Sequence, residues 1–203
     1  MFAPLATLPC SRSDSLNMNY CSQCGSSKLQ SELPIGDTHS RLVCVQCDHV
    51  HYNNPTIICG CIIEQDDKIA LCLRAIEPQK NTWTIAAGYL EVGESTEIAA
   101  QREALEETGM EVEIQGLYSV FNVQHMHQVY IIYRAQFVQQ THEMGPESLA
   151  VEWFTEHTLP LEQLAYPAIK TMLLRHAKER KDGHFSLYQG DANSGRLIGL
   201  RQN

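Results

Sequence analysis

The 203-residue chain carries a formal charge of −9, with 43% hydrophobic and 19% charged residues, a balance suited to one hydrophobic core plus a small accessory module. No apolar run approaches the ~20 residues of a membrane span, and no basic run is longer than the Lys178–Lys181 segment. These features argue against membrane insertion and non-specific nucleic-acid binding, and an acidic chain acting on an acidic substrate needs cations between the two.

Residues 1–19 show neither a clear periodicity nor a basic segment followed by a long apolar core, so they read as a disordered lead, with Met18 as an alternative start. Without a secretory signal the expected location is cytoplasmic. Next come Cys21-Ser-Gln-Cys24 and, nineteen residues on, Cys44-Val-Gln-Cys47. Paired Cys-x-x-Cys knuckles at this separation suit four thiolates around one tetrahedral ion, so residues 20–52 are expected to form a ribbon with Zn²⁺ on Cys21, Cys24, Cys44 and Cys47. Two disulfides are the competing reading, which a reducing compartment disfavours. Four sulfur ligands leave no open position, so this metal would hold shape only. Cys10, Cys59, Cys61 and Cys72 lack ligand spacing, and the last three read as small core residues.

Residues 53–183 read as the main domain. Thr56–Ile63 is expected as a strand, Asp66-Asp67 as a hairpin turn and Lys68–Ala75 as the returning strand. Trp83–Ala87 then leads into Gly88–Met110, GYLEVGESTEIAAQREALEETGM. From Ser95, a natural cap, this stretch reads as a helix that ends at Gly109. Glu103, Glu106 and Glu107 fall at i, i+3 and i+4 and share one helix face, where they repel unless a partner is present. A hard divalent cation, Mg²⁺ or Mn²⁺, removes that repulsion and tolerates phosphate in its shell. Arg102, one turn before Glu106 and within reach of Glu94, is expected to orient the cluster. Gly88 permits close backbone approach to metal or phosphate, and Glu106 is a candidate general base. A solvated acidic face is the bland alternative.

Beyond Met110, Glu111–Val123, Gln128–Val138 and Ala150–Thr155 read as strands. Leu159–Arg180 reads as a helix with Lys178, Arg180 and Lys181 at its end, and residues 184–203 as a polar tail with a strand-like patch at Phe185–Tyr188. The order of elements gives an α/β class with a mixed sheet. Tyr89, Phe121 and Tyr130 are candidates for stacking on a substrate ring, against the ordinary reading of strand aromatics as core. His125 and His127 could share a face near the substrate or simply meet solvent.

Gly88, Glu94, Arg102-Glu103, Glu106-Glu107 and Gly109 together are similar to the Nudix box, and the chain resembles the Nudix hydrolase family over roughly residues 20–190. The resemblance implies an α/β/α sandwich around a mixed sheet and metal-dependent cleavage of a nucleoside diphosphate linked to another moiety. It also implies a small-molecule nucleotide substrate and a homodimer as a common state. A four-cysteine ribbon joined to this domain resembles the NADH pyrophosphatase branch and a related branch that hydrolyses FAD and ADP-ribose. The first branch carries a Ser-Gln-Pro-Trp type segment that Tyr118–Val123 lacks, whereas Asn54-Pro55, Gly60–Glu64, Gly88–Ser95 and Gly145–Ser148 look like the second. The expected products are AMP plus FMN or ribose 5-phosphate, with NADH cleavage as the alternative. Ala86 stands where a proline is common. Relatives place a further carboxylate before the Trp153-Phe154 pair; Ala150 occupies the expected position, so Glu152, or Glu147 in the preceding loop, is the candidate. A reading of another class is a nucleotide-binding sensor or adaptor that uses the ribbon for interaction.

Overall fold

The computed structural model describes residues 18–191 and the backbone of residues 196–200. The expected lead, but for its last two positions, and Cys10 lie outside the described residues. The chain divides into two compact units, Met1–Asn54 and Pro55–Asn203.

In the first unit β1 (Leu29–Glu32), β2 (Arg41–Cys44) and β3 (Val50–His51) form an antiparallel three-stranded sheet. Two knuckles carry the thiols, closed by Gly25 N–H donating to Cys21 O (2.9 Å) and Asp48 N–H to Cys44 O (2.8 Å). Both turns need a left-handed residue after the second cysteine, supplied by Gly25 (φ 74°) and Asp48 (φ 55°), and aspartate is among the few residues that take this conformation readily.

The second unit is built on β4 (Thr56–Gln65), β5 (Lys68–Arg74), β6 (Trp83–Thr84), β7 (Ala86–Tyr89), α1 (Thr96–Thr108), β8 (Met110–Val123), β9 (Gln128–Gln140), β10 (Ser148–Phe154), α2 (Pro167–Asp182), β11 (Leu187–Asp191) and β12 (Arg196–Leu200). The sheet runs in the order β10-β5-β4-β9-β8-β11-β12, with β6 paired to β5 and β7 to β4. It is mixed, because β4 lies parallel to β9 and β8 parallel to β11 while the other pairs are antiparallel. Side chains of β4 alternate between two cores: Cys59, Cys61 and Ile63 pack with Ala99, Ala100 and Ala104 of α1, and Ile62 packs with Met172 and Leu173 of α2. A strand covered on both faces reads as an unbroken apolar run, which is why Ile58–Ile63 contains no polar side chain. Cys59, Cys61 and Cys72 are buried core residues as expected.

Three expectations are corrected. The last helix starts at Pro167 rather than Leu159, because Leu164 forms a bridge with Trp83 and Ala165 N–H donates to Trp83 O (2.9 Å), holding the preceding segment extended against β6. The segment 184–203 is more than a tail: β11 joins the sheet beside β8 and pairs in turn with β12. Its anchor is the buried Glu179 carboxylate, which accepts from Tyr118 Oη (2.9 Å), Ser186 N–H (3.1 Å) and Tyr188 Oη. His125 and His127 do not alternate on a strand, since Gln124–Met126 is a single 3₁₀ turn and His127 is left-handed at φ 53°.

Glu64 fixes α2 to the sheet. Its carboxylate accepts from Arg134 Nε (2.6 Å) and Nη2 (2.9 Å) on β9 and from His176 Nε2 (2.8 Å) on α2. Burial alone would raise the Glu64 pKa, but the bonds from His176 and Arg134 win and hold it at about 2. Burial lowers the His176 pKa against the opposing pull of Glu64, so a neutral ring donates the bond. Both folded values lie below the unfolded ones, so this network stabilises fully above about pH 6.5 and loses strength as pH falls, with the Glu64 part lost between about 4.5 and 2. Glu64→Gln is expected to lower unfolding free energy by about 2 kcal/mol at pH 7, with the gap to wild type shrinking at pH 3, as measured by urea titration at both pH values.

Candidate active site

Helix α1 forms as its ends dictate. Ser95, extended at φ −83°, ψ 160°, caps the start by accepting from Ile98 N–H (3.3 Å), and Gly109 ends it left-handed at φ 73°. Its buried side is alanine-rich, with Ala99, Ala100 and Ala104 at 0% exposure, so the helix lies close against the sheet and brings its glutamates to the β7 backbone.

Glu107 Oε2 accepts from Ala87 N–H (3.1 Å). Glu103, 8% exposed, lies against Gly88, where an added Cβ would overlap its carboxylate. A side chain at position 88 therefore has to move the Glu103 carboxylate. Arg102 ties the cluster together. Its Nε and Nη2 donate to Glu94 (3.2 and 2.8 Å), Nη1 to Glu103 Oε1 (2.6 Å) and to Glu106 Oε2 (3.2 Å), and Nη2 also to Tyr89 O (2.8 Å). Glu94 Oε1 in turn accepts from Glu91 N–H (2.7 Å), which closes the loop before the helix.

Burial pushes Glu107 up to about 8, against the pull of Ala87 N–H and with the charge of Glu103 adding to it. Burial also raises the Glu103 pKa, opposed by Arg102 and reinforced by Glu106 and Glu147. Two oxygen-donor side chains whose ionisation is resisted by burial and by each other form the environment a hard divalent cation relieves. Glu106, with 58% of its side chain exposed, stands at the open side of the pair. The residues present fit such an ion, which Glu103 and Glu107 would hold.

Of the remaining expected site residues, Tyr89 is 55% exposed, and its hydroxyl accepts from Gln128 Nε2 (3.4 Å). Phe121 is corrected: it is 2% exposed in the core and stacks on Tyr130 (centroids 4.9 Å, planes 12° apart), so its faces are not offered to a ligand. Tyr130 is partly buried against the same core. Glu152 is exposed opposite Leu71 on β10 and lines a groove with Thr108 and Gln140. Glu147, the second candidate, acts electrostatically on both Glu103 and Glu107. The Ala87 N–H, the Tyr89 carbonyl and the Arg74 guanidinium, whose charge acts on Glu107, had not been anticipated. Backbone groups leave no sequence signal, and Arg74 carried only that of a cation ending a strand just before the box.

In the first unit the four knuckle thiols gather with all sulfurs within 4.8 Å, the one group of three or more such ligand side chains among the described residues. Cys21–Cys47 and Cys24–Cys44 Sγ separations are 3.7 and 3.6 Å. A disulfide needs about 2.05 Å, whereas a tetrahedron with bonds of about 2.3 Å has edges of about 3.8 Å. The geometry is that of a metal site.

Residues 54–175 match the NUDIX domain family and residues 19–53 the Nudix N-terminal zinc-ribbon family. The chain belongs to the Nudix family and is a Nudix hydrolase, a class whose members need a divalent metal. Its structure is similar to the crystal structure of a NUDIX hydrolase from Nitrosomonas europaea, with 40% identity, a TM-score of 0.82, and coverage of 86% of this chain and 98% of that one. An ADP-ribose pyrophosphatase from Methanocaldococcus jannaschii is 29% identical over 113 residues, 54% of this chain and 67% of that protein. The NAD-capped RNA hydrolase NudC of Haemophilus influenzae is 34% identical over 98 residues, 46% of this chain but only 34% of the relative. No described helix is long and apolar enough to cross a membrane.

Gly88→Ala is expected to displace Glu103 and lower kcat/KM by about 10²-fold or more, while circular dichroism and the thermal midpoint stay near wild type.

Proposed function

We propose that the chain is a Mg²⁺- or Mn²⁺-dependent pyrophosphohydrolase that cleaves the diphosphate of ADP-ribose or FAD, releasing AMP with ribose 5-phosphate or FMN. The observation that carries this reading is the meeting of Glu103 and Glu107 with the Ala87–Gly88 backbone beneath one guanidinium. Glu103 and Glu107 hold the ion, and Glu106 is a further ligand or the base. When bound, the ion supplies charge neutralisation at the diphosphate and a more acidic attacking water. Glu106 faces solvent beside this pair and accepts the proton of the water; Glu147 is the other candidate base, in preference to Glu152. Arg102 keeps Glu103 and Glu106 in position through bonds to both, and the exposed ring of Tyr89 flanks the substrate. The likeness to an ADP-ribose pyrophosphatase supports the substrate class.

Zn²⁺ on Cys21, Cys24, Cys44 and Cys47 is the reading that the sulfur spacing supports for the ribbon, and reduced thiols agree with a cytoplasmic setting. Cleavage of NADH or of an NAD cap is the second reading, favoured by the likeness to NudC.

Product analysis with FAD, ADP-ribose and NADH, each with Mg²⁺ and Mn²⁺, tests the assignment. FMN plus AMP, or ribose 5-phosphate plus AMP, should form faster than products of NADH; NADH in the lead would replace the first reading by the second. Glu107→Gln is expected to lower kcat by about 10²-fold or more and Glu152→Gln to leave it within about threefold. Unchanged turnover in Glu107→Gln would remove Glu107 from the metal site. Metal analysis should give one zinc per chain, lost in Cys44→Ser.

A further inference from the structure

A cavity of about 220 Å³ lies on the α2 side of the sheet. Its lining includes Ile69 on β5, Phe154 on β10 and Leu173 and His176 on α2, residues of the core that α2 covers rather than the one that α1 covers. Ile69 and Arg74 stand at opposite ends of β5, five residues and so roughly 17 Å apart. The cavity is therefore separate from the carboxylates on α1, and a nucleotide held there does not reach it.

The walls are mostly apolar, and one cation in them, Arg180, lacks a close acceptor. Arg180 forms no ion pair within 4.0 Å among the described residues, although its charge acts on Glu156. Its Nε is buried without a hydrogen-bond partner, and its one bond, Nη2 to Lys68 O, is long at 3.4 Å. The Nε has no accessible surface, so a ligand in the cavity can meet only the outer nitrogens of the guanidinium. The other charged groups at the cavity are already engaged or face outward. Lys181 Nζ is 2.6 Å from Glu156 Oε1, and His157 Nε2 is 3.4 Å from the same oxygen. His176 uses Nε2 on Glu64, and Asp67 is exposed at the mouth.

We propose that this cavity is a second binding site, one that takes a small organic monoanion: an apolar body of about one ring carrying a single carboxylate directed to Arg180. The volume equals that of roughly seven waters and falls below the usual range for larger ligands, so a dinucleotide is excluded by size. Ile69, Phe154 and Leu173 give the apolar body its contacts, and a carboxylate accepts from a guanidinium with a short charge-assisted bond. A phosphate dianion suits the site less, because Glu156 and Asp67 stand close by and Arg180 already shares its charge with Glu156. The site is independent of the hydrolytic reading and can be tested without turnover.

The test uses the full chain with benzoate as probe, followed by calorimetry and by amide shifts in heteronuclear NMR. Benzoate should bind saturably at one site, with shifts centred on Ile69, Phe154, Thr155 and Leu173, and benzamide about 10-fold more weakly or worse. Arg180→Gln should weaken benzoate by about 10-fold or more, and Ala177→Trp, which fills the cavity, should abolish binding. The proposal is overturned by the absence of saturable binding, by equal affinity for benzoate and benzamide, or by inorganic phosphate competing as well as benzoate. The comparison of benzoate with benzamide on the unmodified chain decides the matter even if neither variant folds.

Discussion

One guanidinium holds the candidate site together. Three carboxylates on one face of a 13-residue helix repel one another, and a helix carrying them needs a cation to sit close to a sheet. Arg102 meets that need from within the helix by donating to Glu94, Glu103 and Glu106. Its bond to Tyr89 O fastens the strand end that precedes the loop, so one side chain sets both the spacing of the acids and the path of the backbone over them. The guanidinium is in turn held charged, with its pKa raised first by the Glu94 bond.

That arrangement depends on how closely helix and sheet approach. Ala99, Ala100 and Ala104 against Cys59 and Cys61 make an interface of small side chains, and Gly88 removes the last obstacle where Glu103 descends to the strand. The opposite face is built differently. There α2 packs large residues, Ile169, Met172 and Leu173, against Ile62 and Leu71, and the polar groups that remain are matched in a buried network of Glu64, Arg134 and His176. Small residues serve close approach on the α1 side, and volume serves core stability on the other.

What could be read from the sequence follows this division. The α1 helix and its acids were legible because capping, helical periodicity and the i, i+3, i+4 spacing are local, and the thiol site because knuckle spacing is local too. The place of β11 was not, since its parallel pairing with β8 joins residues about seventy positions apart and Leu187–Asp191 has little apolar signal of its own. Phe121 and Tyr130 show another limit: an aromatic residue in an expected strand does not say whether its ring meets ligand or core. The uncertainty between Glu147 and Glu152 has the same origin. Glu152 was chosen for its place in a strand beside Ala150, whereas Glu147, in the loop before that strand, is the one whose charge acts on Glu103 and Glu107.

The charge balance of the site bears on how an anionic substrate is met. The chain is acidic overall, and among the described residues the Arg102 guanidinium donates to Glu94, Glu103, Glu106 and the Tyr89 carbonyl. Turning it towards a diphosphate would strip Glu103 and Glu106 of their partner and restore the repulsion that it suppresses. Arg74, whose charge acts on Glu107, is one other cation nearby, and a divalent ion held by the two buried carboxylates at the Ala87–Gly88 backbone would add the charge that a diphosphate requires. On the reading proposed here, Arg102 is a positioning group, and a bound ion would supply the Lewis-acid charge that the diphosphate needs. The packing of the site and the proposed activity thus rest on different cations drawn to the same glutamates.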